Sequence, residues 1–460
     1  MVIGVKAHLS RGLAYSNLSK HQEAIQDFEQ VDSLTEKYIS QLEDLSDKLP
    51  VLLTQVKSWY LKGVSERSLK NHENSLKSLD KAIKLGKEYN KLVTESNQKH
   101  PIHNYYMTRG LIFNDQKNYE KSTKNFRKFI KLCPEEGNNN MELFIANHNL
   151  GIGLEKLDKE DEAFEAYSEA ISHFGKVSDK EKQWKAHSGS LDTYYYRGLL
   201  SEKKESSMKC IADYDFVLRY NPNHLHAHQH RAAVLYHLKE YEQAIESFTK
   251  VIEHDPKDFT ALFNRGMCYK FVGELAKSVI DFNQTTKVNP EFFKAYSELV
   301  RVLIKLDEKD PQRLIPLYTK SIELIEAGKV NKDDIPNDQS IGAIYFERGV
   351  QLVKDEKYQE AIDDFTSAIK KDGKFVDAYF NRANVYRRFL KKPEKALSDA
   401  EKVCELDETD VDGMMEVAMC LYDLDKVEDA KKQFERVLKT KPDHEPARRY
   451  LDYLNDDTEE

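Results

Sequence analysis

Two successive stretches decide the fold of this chain: LHAHQHRAAVLYHLKEYEQAIESFTKVIEHDP (residues 225–256) and FTALFNRGMCYKFVGELAKSVIDFNQTTKVNP (residues 259–290). Placed one below the other, their aromatic, small, apolar and proline positions coincide at an offset of 34 residues. The same frame starts at residues 191, 225, 259 and 293, again at 342 and 376, and at 411 after one inserted residue. A period of this length is typical of a repeat array, in which neighbouring units bury an apolar face together.

Three positions of the frame predict two antiparallel helices in each repeat. Position 8 is small, so that the helices can approach closely, and position 24 is a bulky anchor; position 20 is small as well. Position 8 holds Gly12, Gly63, Gly110, Gly151, Gly198, Ala232, Gly266, Gly349, Ala383 and Ala418. Position 24 holds Phe28, Leu79, Phe126, Tyr167, Tyr214, Phe248, Phe282, Phe365 and Phe434. Proline at position 32 ends the second helix in several repeats.

These residues resemble the tetratricopeptide repeat (TPR) family. Eleven repeats start near residues 5, 56, 103, 144, 191, 225, 259, 293, 342, 376 and 411, and they cover most of the chain. The resemblance implies an all-α fold, a right-handed α-solenoid (superhelix) of about eleven helix–turn–helix repeats, in a long standalone array. In such a fold the first helix of each repeat lines a concave groove. The family's groove positions are 2, 5, 6, 9, 12 and 13, and we call the residues at these positions the groove surface.

The spacing of the repeats predicts how the chain is divided. Residues 1–325 hold repeats 1–8, and the longer intervals between the first five indicate extended helices or loops. We expect extended second helices that end near Pro50 and Pro101, and loops around residues 134–142 and 175–190. Residues 326–341 are polar and contain Gly, Pro and Asn, which favours a linker or joint. Repeats 9–11 occupy residues 342–445, followed by a C-terminal capping helix and acidic tail over 446–460.

Composition restricts the class of function. Apolar residues make up 40% of the chain, which is sufficient for a packed core, and the net charge of −9 argues against nucleic acid as a partner. No apolar run approaches the ~20 residues that cross a bilayer, and the N-terminus does not resemble a signal peptide. Five scattered cysteines without a C-x-x-C pair fit a reducing, cytoplasmic location and predict no zinc site. Phosphate-loop, zinc-protease and serine-hydrolase motifs are missing, so we expect neither catalysis nor a cofactor.

Repeats 5–7 carry the leading candidate for a partner-binding site. An aromatic and Met-bearing strip with a few hydrogen-bonding side chains suits an extended or helical peptide with apolar anchors. Some of these aromatic residues could instead simply pack against adjacent helices. The candidate residues are Tyr195, Tyr196, His226, His230, Tyr236, His237, Phe263, Asn264, Met267 and Phe271.

Five histidines between residues 221 and 238 raise the alternative of a metal site. A zinc site needs three or four converging ligands. His226 and His230 could supply two, but His237 lies two turns further along the helix. We therefore interpret these histidines as polar lining of the groove and predict no metal.

A second candidate surface in repeat 10 could hold an acidic peptide. It comprises Asn381, Asn384, Arg387 and Arg388. However, Asp412, Glu416 and Asp423 of repeat 11 should face the same space, and a solvated salt-bridge network is the favoured interpretation.

The family's chaperone-binding members hold a terminal carboxylate with basic and Asn side chains of three consecutive repeats. Asn264 and Asn381 satisfy the middle requirement alone. Their flanking repeats carry the wrong residues at the other clamp positions: Gln229 with Ala233 and Phe346 with Val350 before them, Lys294 with Glu298 and Asp412 with Glu416 after them. No three consecutive repeats complete the clamp.

The sequence therefore predicts a non-catalytic scaffold or adaptor that holds partner proteins by an extended or helical segment. By family analogy it would belong to a large assembly, cytoskeletal or ciliary. The alternatives are a co-chaperone-type adaptor that binds chaperone tails in a non-standard way and, in another class, a metal-dependent enzyme.

Overall fold

The computed structural model describes residues 2–94, 99–134, 139–177, 189–204, 207–335 and 340–456. All regular structure in these ranges is helical, which confirms the predicted all-α fold. The chain forms two compact units, Met1–Val234 and Leu235–Glu460 (units 1 and 2). The boundary falls inside one helix, α11 (Leu225–His237).

Unit 1 contains five helical hairpins, in which each helix packs against the next. Their helices are α1 (Val2–Asn17), α2 (His21–Ile39), α3 (Leu45–Ser68), α4 (His72–Leu92), α5 (His103–Asp115), α6 (Tyr119–Leu132), α7 (Asn140–Glu155), α8 (Glu160–Gly175), α9 (Gly189–Lys203) and α10 (Ser207–Tyr220). First helices of successive repeats also meet, as α1 does with α3 and α5 with α7.

Unit 2 continues the same pattern beyond α11. Its helices are α12 (Tyr241–His254), α13 (Phe259–Val272), α14 (Leu275–Val288), α15 (Phe293–Lys305), α16 (Pro311–Glu326), α17 (Ile341–Lys354), α18 (Tyr358–Lys371), α19 (Val376–Asn384), α20 (Pro393–Leu406), α21 (Val411–Asp423), α22 (Val427–Thr440) and α23 (Glu445–Asp456).

The small residue at position 8 does face the anchor at position 24, as the frame predicts. A Cβ atom added to Gly151 would lie 2.5 Å from the ring of Tyr167, and one added to Gly110 would lie 2.8 Å from Phe126. The ring of Tyr167 is fully buried. Glycine therefore sets the separation of the two helices in these repeats, because a side chain would overlap the buried anchor.

Buried ion pairs, not foreseen from the sequence, join the two helices of five repeats. An Arg at position 7 donates two hydrogen bonds to an Asp near position 23: Arg11 to Asp27, Arg197 to Asp213, Arg265 to Asp281, Arg348 to Asp364 and Arg382 to Asp399. The aspartate side chains are at most 8% exposed. A bidentate pair of this kind supplies the hydrogen bonds that a buried carboxylate needs, and it fixes the relative position of the two helices.

The extended helices of the first half differ from the expectation at their ends. Helix α2 ends at Ile39, and α3 starts at Leu45, so Pro50 lies inside α3. The expected end near Pro50 is therefore wrong: α2 is extended to 19 residues, and the remaining extra residues lengthen α3, the first helix of repeat 2, to 24. Helix α4 is extended, with 21 residues, but it ends at Leu92 and leaves Pro101 outside any helix. Of the two expected loops, residues 135–138 and 178–188 lie outside the described residues, whereas residues 140–142 belong to α7 and not to a loop.

The residue inserted in repeat 10 is absorbed by a π-helical turn. Residues Val385–Phe389 continue α19 in this form, and the N–H of Leu390 donates to the carbonyl of Val385 five residues earlier. A π turn accommodates one extra residue without ending the helix. As a result the ring of Phe389 still stacks on Tyr358, with centroids 4.4 Å apart.

The segment predicted as a linker has apolar contacts on both sides. Val330 and Ile335 pack against a core cluster that contains Tyr318 of α16 and Ile344 of α17, while residues 336–339 lie outside the described residues. The predicted division into 1–325, 326–341 and 342–445 stays a prediction. Helix α23 packs Ala447 and Leu454 into the last core cluster, as expected of a capping helix. Residues 457–460 of the acidic tail lie outside the described part.

Candidate peptide-binding surface

The ten residues predicted to bind a partner lie on α9, α11 and α13, the first helices of repeats 5–7. The boundary between the units divides them. Tyr195, Tyr196, His226 and His230 belong to unit 1, whereas Tyr236, His237, Phe263, Asn264, Met267 and Phe271 belong to unit 2. Their role in binding stays a prediction, and each set has its own surroundings.

In unit 1 the two tyrosines form part of a half-buried aromatic layer. The rings of Tyr195 and Tyr196 are 5.7 Å apart, and Tyr196 stacks on the buried ring of Tyr167 at 5.9 Å. The ring of Tyr195 also meets that of His230 edge-on at 6.0 Å. Both side chains are thus partly committed to packing: Tyr196 packs against the core cluster that contains Tyr167, and the ring of Tyr195 lies 6.2 Å from the buried ring of Tyr214.

A pocket of about 390 Å³ opens beside these rings. Two of the predicted residues, Tyr196 and His230, line it. The full lining is Glu155, Tyr196, Leu199, Leu200, Glu202, Lys203 and His230. Six of these seven residues occupy groove positions of repeats 4–6, so the pocket lies on the groove surface of unit 1.

The two carboxylates of this pocket are held by buried tyrosines. The hydroxyl of Tyr167 donates to Glu155 Oε2 at 3.1 Å, and that of Tyr214 donates to Glu202 Oε2 at 2.9 Å. Burial raises the pKa of both tyrosines, and the carboxylates raise it further, so the hydroxyls remain donors. His230 Nδ1 lies 3.1 Å from the same oxygen of Glu202.

Neither Glu155 nor Glu202 is among the site residues predicted from the sequence, although a signal was present. Among the nine repeats with the regular anchor, tyrosine stands at position 24 only at residues 167 and 214. Glutamate stands at position 12 only in the same two repeats, at residues 155 and 202. The frame places positions 12 and 24 on opposite helices of one hairpin, and the paired change indicates a contact between them.

The clustered histidines have local structural roles. His224 Nδ1 accepts a hydrogen bond from the N–H of Ala227 at 3.1 Å and so caps the start of α11. His228 Nε2 lies 2.9 Å from the carbonyl oxygen of Pro222, and His226 Nδ1 lies 3.1 Å from Gln229 Oε1. Within the described ranges no three His, Cys, Asp or Glu side chains come together as a metal site would require.

In unit 2 the predicted residues divide into core and exposed groups. The ring of Phe263 lies 5.0 Å from Phe292, and together with Met267 it packs against the core. Phe271 is half exposed and stacks on Tyr241 at 4.7 Å. The alternative that these aromatic residues simply pack against adjacent helices therefore applies to Phe263 more than to the half-exposed Phe271.

The second candidate surface is largely satisfied from within. Asn381 and Asn384 each donate to a carbonyl four residues earlier in their own helix. Arg387 donates twice to Glu416, a side chain only 4% exposed, and lies 3.5 Å from Asp423. Arg388 is exposed. A salt bridge is therefore present here, but Arg387 and Glu416 are 10% and 4% exposed, so it is buried rather than solvated as expected. A role of this surface in binding an acidic peptide stays a prediction.

None of the helices in the described part of the chain is both long and apolar enough to cross a bilayer. Tetratricopeptide repeat profiles match residues 5–38, 56–88 and 103–136, residues 227–258, and residues 346–410. The first three matches begin at the predicted starts of repeats 1–3. With the hairpins and their glycine–anchor contacts, these matches establish that the chain is a tetratricopeptide repeat protein.

Among curated proteins, the chain is similar to Hsp70-Hsp90 organizing protein 1 of Glycine max, with 27% identity over 246 residues. That match covers 48% of this chain and 43% of the relative. Sperm-associated antigen 1 of Rattus norvegicus is 25% identical over 231 residues, which cover 46% of this chain and 26% of the relative. The matched region thus spans less than half the length of either protein.

A solved structure, the first TPR of Spaghetti (RPAP3) bound to the HSP90 peptide SRMEEVD, is 30% identical. It covers 26% of this chain and 94% of that chain, with a TM-score of 0.25.

Proposed function

We propose that the chain is a non-catalytic adaptor that holds segments of partner proteins on its groove surface. The pocket of unit 1 carries this proposal, because it is a cavity built almost entirely from groove positions of three successive repeats. Its combination of apolar walls with a few fixed polar groups is typical of sites that bind a peptide side chain.

The finer parts of the function are proposals as well. A cytoplasmic location fits the reduced, scattered cysteines, all five of which are buried. Membership of a large cytoskeletal or ciliary assembly rests on analogy with other long arrays. We expect protein partners rather than nucleic acid, because the chain is acidic as a whole.

A second candidate is a chaperone-linked adaptor, which the names of several curated relatives favour. Two side chains at the clamp positions are already paired within the chain, which disfavours a standard carboxylate clamp. At the clamp positions of repeat 8, Glu298 binds Lys270 and Lys294 binds Asp334, at 2.5 and 3.1 Å. A chaperone tail would therefore have to bind in another way. Binding of the peptide SRMEEVD to the full chain, compared with its C-terminal amide, tests this candidate.

Affinity purification of the full chain, followed by crosslinking mass spectrometry, tests the adaptor function. Leu199→Arg places a charge in the pocket, whereas Met208→Arg places the same charge on α10, where Met208 is 75% exposed. We expect Leu199→Arg to release a partner that crosslinks near α9, and Met208→Arg to retain it. Equal retention by both variants would contradict groove binding in unit 1.

A further inference from the structure

We propose that the pocket of unit 1 accepts a cationic side chain, Lys or Arg, from the bound partner segment. This inference rests on the proposed function and specifies the chemistry of the partner. Three properties of the pocket support it: the carboxylates on its surface, the walls around them, and the balance of charge nearby.

The carboxylates of Glu155 and Glu202 are held in place before any ligand arrives. Each accepts a hydrogen bond from a buried tyrosine, at 3.1 and 2.9 Å. A carboxylate can accept about four hydrogen bonds, so Glu155, which accepts one from Tyr167, can accept a further donor. The Glu202 side chain is one-third exposed, and both residues line the cavity.

The walls suit the rest of a long basic side chain. Leu199 and Leu200 supply apolar surface for its methylene groups, and the ring of Tyr196 supplies an aromatic face. Burial raises the pKa of Tyr196, and the carboxylates of Asp192 and Glu155 raise it further. The ring therefore lies in a negative environment, which favours a cation beside it.

The lysine that lines the pocket is paired with a carboxylate outside it. Lys203 lines the pocket, but its ammonium group pairs with Glu160 of α8. His230 contacts one oxygen of Glu202. An acidic segment would be repelled by the carboxylates of Glu155 and Glu202, whereas a basic segment would gain a charge-assisted hydrogen bond to Glu155.

Selection from a phage-displayed dodecapeptide library on the full chain provides the probe. We expect selected peptides that compete with one another and lose binding to Leu199→Arg to share a Lys or Arg beside an apolar residue. For the tightest Arg peptide, replacement of that Arg with the neutral isostere citrulline should weaken binding about tenfold.

The variants Glu155→Gln and Glu202→Gln should each weaken the Arg peptide about tenfold and affect the citrulline peptide far less. Tyr167→Phe frees Glu155 without removing charge and should weaken the Arg peptide less. Glu169→Gln, on the exposed surface of α8, is the matched control for net charge and should change neither peptide. Circular dichroism confirms that each variant is folded.

Two contrary results have different meanings. Peptides that require Leu199 but tolerate citrulline and both Glu→Gln changes would overturn the cationic pocket and leave groove binding intact. If no selected peptide is sensitive to Leu199→Arg, both the pocket chemistry and groove binding in unit 1 are contradicted.

Discussion

Gly151 shows how one atom controls the packing of a hairpin. Its missing Cβ would lie 2.5 Å from the buried ring of Tyr167, whose hydroxyl is anchored on Glu155. We expect Gly151→Ala to lower the free energy of unfolding by about 2–3 kcal/mol, because the ring or the helix must move. Chemical denaturation measures the change.

Gly175 provides the control for this substitution. It is the last residue of α8, and a Cβ added there meets nothing within 4 Å. Gly175→Ala should leave stability unchanged or raise it by up to about 1 kcal/mol, since alanine favours the helix. An equal loss in both variants would show that the contact with Tyr167 is not the cause.

His148 makes the stability of unit 1 depend on pH. Burial lowers its pKa from 6.5 to about 4, and its ring lies between Phe144 and Tyr167. Protonation therefore favours the unfolded chain. Above pH 6.5 the histidine is neutral in both states and does not alter the free energy of unfolding. As the pH falls towards 4, that free energy decreases by roughly 2–3 kcal/mol.

Unfolding of unit 1 at pH 7 and pH 4.5 tests this effect with the variant His148→Gln. We expect a smaller loss of stability on acidification in the variant than in the native chain. His100 also has a pKa lowered to about 4 by burial, so part of the pH dependence should remain. An unchanged pH dependence would contradict a buried neutral His148.

At the scale of elements, the π turn after α19 lets repeat 10 keep the packing of a regular repeat although it contains one extra residue. The Arg382–Asp399 pair spans 17 residues, against 16 in the four other pairs, yet its geometry is the same. The extra residue is thus accommodated within the helix rather than in the turn that follows it.

Deletion of the exposed Arg388 should therefore convert the π turn into an ordinary α-helical turn at little cost. We expect a change in unfolding free energy below about 1 kcal/mol, because Arg387 keeps Glu416 and Phe389 keeps its place beside Tyr358. Deletion of Lys270 in the regular helix α13 should cost several times more, since it rotates Phe271 and Val272 out of register. Thermal unfolding compares the two deletions.

At the scale of the whole molecule, contacts run mainly between neighbouring helices within each unit. Stability in such arrays is approximately a sum of local contributions. Trp59 packs against the core cluster of unit 1 that contains Phe126, so its fluorescence reports on unit 1, whereas Trp184 lies outside the described residues.

The substitution Gly349→Ala in unit 2 tests whether a local loss of stability stays within its own unit. The added Cβ would lie 2.8 Å from the ring of Phe365, and the loss should resemble that at Gly151. We expect part of the circular dichroism signal to be lost at lower denaturant, whereas the tryptophan transition keeps its midpoint. A parallel shift of both signals would show that the chain unfolds as a single cooperative body.

The sequence by itself determined the helical hairpins, their 34-residue frame and the contact of Gly151 with Tyr167. These features are local: each depends on residues less than one repeat apart, and the same physical requirement recurs in repeat after repeat. The groove positions followed from the family, and they led to Tyr196 and His230, which line the pocket.

Only the tertiary structure decided that Glu155 and Glu202 line a common pocket with those two residues. It also decided that Pro50 lies inside α3 and that an inserted residue forms a π turn. A pocket needs side chains from three repeats at defined distances, and a helix end depends on what its last turn packs against. Neither is encoded in the period of a single repeat, because both arise from packing between repeats.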